Sequence, residues 1–200
     1  MKLLNKRNGG FTLVELLIVL AIITWLAVKV LPKYIGVQSS ATALEKYTLA
    51  VDGTSAASGL FQLLGSGGVT PNNPMVLANN SLEDVLFTGT GVAAAYQTAY
   101  DNLNITPMRN MVQVTTEPVA GTSVGVYQDG ASVITIGNPA NNREMHWVYT
   151  PATSEEVAYL VEKYDQSSAY AANTPDTTGT IRYTADGGTG LHTLTIVVAK

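Results

Sequence analysis

Asn8-Gly9-Gly10-Phe11-Thr12-Leu13-Val14-Glu15-Leu16-Leu17-Ile18-Val19-Leu20-Ala21-Ile22-Ile23 is the stretch whose reading decides the fold. A short basic head, Lys2, Lys6 and Arg7, precedes it, and beyond it the chain stays almost wholly apolar as far as Val28. Phe11 to Leu31 is 21 residues, which as a helix rising about 1.5 Å per residue spans roughly 31 Å, near the hydrocarbon thickness of a bilayer. The segment is long enough to cross a membrane once. Lys2, Lys6, Arg7 and the α-amino group outweigh Lys29 and Lys33 on the far side, which places the N-terminus in the cytoplasm and the bulk of the chain outside.

A charged head followed by an apolar run is also the signature of a secretory signal peptide. Here the run is too long for an h-region, Glu15 stands near its start, and Ala27-Val28-Lys29-Val30-Leu31-Pro32 offers a poor cleavage site. Glu15 is the informative residue. A carboxylate inside an apolar helix costs on the order of 2.5–3.5 kcal/mol on insertion scales, so such groups usually have a partner. Either Glu15 snorkels to the interface, or it pairs with a charge on another subunit.

Residues 2 to 23, Lys-x-x-x-Lys-Arg-Asn-Gly-Gly-Phe-Thr-Leu-Val-Glu-Leu-Leu-Ile-Val-Leu-Ala-Ile-Ile, closely resemble the class III leader of type IV prepilins and related pseudopilins. The resemblance implies cleavage by a membrane aspartyl peptidase after Gly10 and N-methylation of Phe11. It also implies that Glu15, the fifth residue after the cut, neutralises the N-terminal amine of a neighbouring subunit during assembly. Two charges in an apolar filament core are costly alone and tolerable together.

The resemblance implies a pilin fold of the α+β class: a long N-terminal helix packed against an antiparallel β-sheet head. The chain then divides into a leader at 1–10, a helix at 11–64 whose 11–31 part is the transmembrane and assembly segment, and a globular head at 65–200. The chain beyond the membrane segment is long enough for one domain with its own core. Removing residues 1–10 takes three basic residues and no acidic ones, so the formal charge falls from −4 to −7, eight basic against 15 acidic. Such an acidic surface indicates no nucleic-acid binding by the subunit.

There is no cysteine, so thiolate chemistry and zinc–thiolate sites are excluded. Many pilins with a similar N-terminus close a C-terminal loop with a disulfide. Packing or a metal must do that work here.

Pro32 stands where pilins of the short-leader group also carry a proline, and its missing N–H predicts a kink or a melted stretch from Val28 to Pro32. Beyond it Tyr34, Val37, Ala41, Leu44, Thr48 and Val51 recur at spacings of three and four, which predicts a buried stripe passing on to Ala56, Leu60 and Leu63. Lys46 is expected on the polar side. Gly65-Ser66-Gly67-Gly68 is expected to end the helix.

Further on, Ser81 reads as a cap with Asp84 in the first turn of a helix, and Val92 to Leu103 reads as a second one. Strands are expected over Met108–Thr115, Ser123–Tyr127, Ser132–Ile136 and Met145–Tyr149, with Gln128-Asp129-Gly130-Ala131 as a hairpin turn. Thr153-Ser154-Glu155-Glu156 is a capping box opening a helix whose apolar face is Val157, Leu160, Val161 and Tyr164. Two strands close the chain, Gly179–Thr184 and Leu191–Ala199, the last an interior strand. This order over roughly residues 100–200 also resembles the head of type IVb pilins, whereas the leader resembles the type IVa group.

Nothing in the sequence makes an enzyme. His146 and His192 fall in predicted strands, no serine stands in a nucleophile elbow, and neither Gly65–Gly68 nor Gly187–Gly190 is followed by the Lys-Ser/Thr of a phosphate loop. Asp176, Asp186 and Asp129 have oxygens to offer calcium, but no D-x-D-x-D ladder is present. No cofactor and no metal site is expected.

The resemblance implies a structural subunit. It would be a single-pass bacterial inner-membrane precursor that meets lipid, the prepilin peptidase and an assembly platform, then polymerises with itself into an extracellular filament for adhesion, twitching or DNA uptake. The alternatives are a type II secretion pseudopilin, or a minor pilin or membrane-anchored adhesive module whose contact loops would be Thr70–Asn80 and Ala169–Thr178.

Overall fold

The computed structural model describes residues 12–64, 82–89, 91–102, 113–116, 126–137, 143–166 and 168–200, with backbone alone at Pro32, Ile35 and 113–116. Helix α1 runs from Leu13 to Leu63 without a break, 51 residues. Compact units form at Met1–Gln38 and Ser39–Lys200, so the division falls inside α1. The melting expected at Val28–Pro32 does not occur in this chain. A proline removes one ladder hydrogen bond, and the helical bonds of the turns on either side are enough to carry the helix across it.

In the second unit come α2 (Leu82–Phe87), α3 (Ala94–Asn102), β1 (Gln113–Thr116), β2 (Val126–Asp129), β3 (Ser132–Gly137), β4 (Glu144–Thr153), α4 (Ser154–Tyr164), β5 (Ile181–Tyr183) and β6 (Leu191–Ala199). The strands make one six-stranded antiparallel sheet, ordered β1-β2-β3-β4-β6-β5. The closing strand β6 lies between β4 and β5 and is interior, in keeping with its apolar run. A two-residue turn, Gly130-Ala131, joins β2 to β3 with Asp129 opposite Ser132, and Gly130 takes the left-handed φ of 58° that favours glycine there. Strand β4 runs four residues further than Tyr149 and carries Pro151 at a register shift between Tyr149 and Ala152, the kind of irregularity that lets a proline sit in a sheet.

The face of α1 that meets the sheet matches the expected stripe only in part. Leu60 is buried as expected, together with Ala43, Lys46, Leu49, Ala50, Thr54, Ala57 and Phe61, whereas Leu44, Val51 and Leu63 are exposed. Tyr34 and Val37, in the first unit, are exposed as well. The sheet offers bulky Trp147 and Tyr149, so the helix approaches with small residues and takes the rings between them. Trp147 Nε1 donates to Thr54 Oγ1 at 2.9 Å, and the Tyr149 hydroxyl donates to the Lys46 carbonyl at 2.9 Å. Close packing rewards complementary volume rather than hydrophobicity alone.

Gly65–Gly68, the 69–80 loop, Ser81, Leu103, the first half of the expected strand at 108–115 and residues 123–125 lie outside the described residues.

Candidate assembly segment and its anchorage

Thr12 caps α1. Its carbonyl accepts the Leu16 N–H at 3.1 Å, and its hydroxyl accepts the Glu15 N–H at 3.2 Å. Glu15 returns the bond: its Oε2 accepts the Thr12 N–H at 2.8 Å and the Thr12 hydroxyl at 2.9 Å. The pair is a capping box, with the carboxylate satisfying donors that have no partner inside the helix. Its signal in the sequence is Thr-x-x-Glu before an apolar run, overshadowed there by the pull of Glu15 towards partners on other chains. Glu15 therefore has a partner within its own subunit.

From Leu13 to Leu31 the large apolar side chains stand exposed. An 18-residue window of α1 has mean hydropathy 2.4 and none of it is buried, so by length and composition the segment can cross a membrane. The only polar side chain between Glu15 and Trp25 is Thr24, whose hydroxyl donates to its own helix at the Leu20 carbonyl, 2.8 Å away.

The second half of α1 is held in the head by charge as well as by packing. Lys46 is 1% exposed, and its Nζ lies 2.9 Å from Glu156 Oε1. The other oxygen of Glu156 accepts the Thr153 N–H at 2.8 Å, while Thr153 Oγ1 accepts the Glu156 N–H, so the expected capping box is present. One carboxylate thus caps α4 and neutralises α1. Lys46, expected on the polar face, is instead buried, because Glu156 supplies inside the head the counter-charge that water would supply outside it.

Two more acidic residues do structural work in α2. Glu83 accepts the Ile136 N–H on β3, and Asp84 accepts the Tyr127 hydroxyl. Burial, then the Asp84 carboxylate, push the Tyr127 hydroxyl well above the ordinary phenol range.

The C-terminal loop is closed without cysteine. Asp165, at the end of α4, is buried, and its Oδ2 accepts the N–H groups of Thr180 at 2.8 Å and Ile181 at 3.2 Å. Asp176 bonds Tyr183 in both directions through the backbone, at 3.0 and 2.8 Å. Together they occupy the outer edge of β5, which leaves no row of free donors there for another strand.

His192 joins three segments. Its Nδ1 lies 2.6 Å from the Thr184 carbonyl and so carries the proton, which makes Nε2 the acceptor for the hydroxyls of Tyr170 at 2.9 Å and Ser154 at 3.1 Å. The serine–imidazole spacing is that of a nucleophile and its base. Yet the tyrosine shares the nitrogen and the ring is 2% exposed, so the contact is a hub for the loop. His146 lies on β4 beside Glu144, 3.3 Å away. Asp176 and Asp186 accept from the backbone of Thr178 and Gly188, and Asp129 lies on the inner face of β2. Among the described residues no group of three metal-binding side chains gathers.

Against known families, the match falls on the segment built around Thr12 and Glu15. Residues 5–27 carry the prokaryotic N-terminal methylation motif. No curated protein and no solved structure matches the chain. The methylation motif is the class III leader of type IV pilins; it supports a type IV pilin-like or pseudopilin protein, and together with the apolar helix it fits a membrane-anchored precursor. Gly10, Phe11 and Glu15 fall inside it, and Pro32 lies beyond it. Gly10 and Phe11 are outside the described residues.

Proposed function

We propose that the chain is the pilin subunit of a type IV pilus. The precursor sits in the bacterial inner membrane, is cut between Gly10 and Phe11 by the prepilin peptidase, is methylated on Phe11, and polymerises with itself on an inner-membrane assembly platform. The observation that carries this reading is the methylation motif running directly into a 51-residue helix whose first half leaves its large apolar side chains uncovered. Lipid satisfies that surface before assembly, and neighbouring helices satisfy it afterwards. The exposed Leu44 and Val51 extend the apolar surface available to neighbours onto the head unit. Glu15 caps its own helix in the free subunit and takes the N-terminal amine of a neighbour in the filament; Pro32 lets the helix bend there. Adhesion, twitching or DNA uptake would be jobs of the assembled surface fibre.

The test is to shear filaments from the native host and determine the mass and N-terminal sequence of their main protein. The expected result is a dominant chain beginning at N-methylated Phe11. A processed chain that stays in the membrane fraction, with no filament containing it in quantity, overturns the reading in favour of a pseudopilin or minor subunit.

A further inference from the structure

The inner face of the sheet buries more negative than positive charge. Lys46 from α1, Glu156 from α4 and Asp129 from β2 are all buried, and Lys46 is committed to Glu156 at 2.9 Å. Asp129 is 8% exposed, and its Oδ2 is sealed from solvent with no hydrogen-bond partner among the described residues. Among the described residues the ionisable groups around it are Glu45 and Lys46 on α1, Glu156 on α4 and Tyr149 on β4. Of these only Lys46 is a cation. A buried carboxylate with an unpartnered oxygen is far costlier than the neutral acid in the same place, and within this trio Lys46 and Glu156 balance each other when Asp129 holds a proton.

We propose that Asp129 is a proton switch within the head: its acid form seats the β2–β3 hairpin against α1 and α4, and its carboxylate loosens that hairpin. Burial first, then repulsion from Glu45 and Glu156 against the pull of Lys46, hold its carboxyl above the ordinary carboxylate range. The folded value is raised above the unfolded one. The stabilisation is therefore complete below the unfolded value and is lost as pH rises through the folded value. Mild acid tightens this head, and a return towards neutral pH relaxes it. The segment that responds is short: β2 meets β3 through Tyr127, Gln128 and Asp129, turning at Gly130-Ala131. The Ser132 hydroxyl, bonded to the Pro151 carbonyl at 2.6 Å, is the uncharged tie beside it.

The test uses the full chain in detergent micelles, with thermal unfolding followed from about pH 7.5 to about pH 4.5. The native chain should gain stability on acidification. Asp129→Asn should melt higher by about 3–5 °C at the neutral end and show a flatter profile. A variant that melts lower at the neutral end while the native slope persists in it overturns the proposal. Carbon-13 carboxyl resonances of the native chain give a reading that needs no variant to fold. The Asp129 signal should titrate above the ordinary carboxylate range, and titration within or below that range overturns the proposal. Stabilisation of the native chain by millimolar calcium, abolished in Asp129→Asn, would make this a cation site and also overturn it.

Discussion

Lys46 Nζ lies 2.9 Å from Glu156 Oε1, and the two side chains are 2% and 7% exposed. They are 110 residues apart, so the contact ties the long N-terminal helix α1 to the helix that follows β4. Its value lies less in net stability than in the penalty for breaking it, because a lone buried charge has nowhere to go.

Glu156→Ala should therefore destabilise the head by about 3–5 kcal/mol, since it strands Lys46 and removes half of the α4 capping box. Lys46→Met combined with Glu156→Gln should cost less than the sum of the single changes. Denaturant unfolding of the three variants gives the coupling.

Gly179 has φ 75°, and a Cβ there would stand 1.9 Å from Asp165 Oδ2. Gly179→Ala should thus displace the carboxylate that holds Thr180 and Ile181, beyond the roughly 1–3 kcal/mol of backbone strain itself. Hydrogen exchange at those two amides should accelerate, while the Val161–Asp165 helix end stays protected. Unchanged exchange at Thr180 and Ile181 would show that Asp165 is not the clasp of this cysteine-free loop.

Thr12 and Glu15 allow capping to be separated from assembly. Thr12→Val removes the hydroxyl bonds of the box and should cost the helix about 1 kcal/mol while filaments still form. Glu15→Ala should be inserted and cleaved but give few filaments, because it also removes the charge offered to a neighbour. Equal filament yields from the two variants would reduce Glu15 to a cap.

Asp176 has the opposite pH sign to Asp129. The Thr178 backbone N–H is the largest of the contacts that hold its carboxyl below the usual 3.8, so its contribution is present above the unfolded value and is lost as pH falls through the folded one. Asp176→Ala should lower stability near neutral pH and bring the variant closer to the native chain in strong acid. Thermal unfolding of both chains down the acid limb reads the difference, and a gap that stays constant with pH would count against the assignment.

Local chemistry was legible along the chain. The Thr153–Glu156 box, the turn at Gly130, the interior place of β6 and the span of α1 each depend on residues within a few positions of one another, where propensity and capping decide. Thr12–Glu15 is equally local, but a carboxylate in an apolar run points first to an external partner. The buried face of α1 escapes sequence reasoning because helical periodicity marks an apolar stripe and says nothing of what will face it. Leu44 and Val51 satisfy the spacing and are exposed, while Lys46 and Thr54, which it does not mark, are buried and bonded to Tyr149 and Trp147.

The sequence by itself determined the long apolar N-terminal segment, the methylation motif and the order of helix and strand, since each rests on a run of neighbouring residues whose hydropathy and hydrogen-bonding are set locally. Tertiary structure alone decided which side of α1 is hidden, that Lys46 meets Glu156, that Asp165 closes the C-terminal loop and that Asp129 has no cation of its own among the described residues. Those outcomes turn on volume and charge brought together from distant parts of the chain, and burial makes them count, because once water is excluded a polar group keeps only the partners the fold supplies.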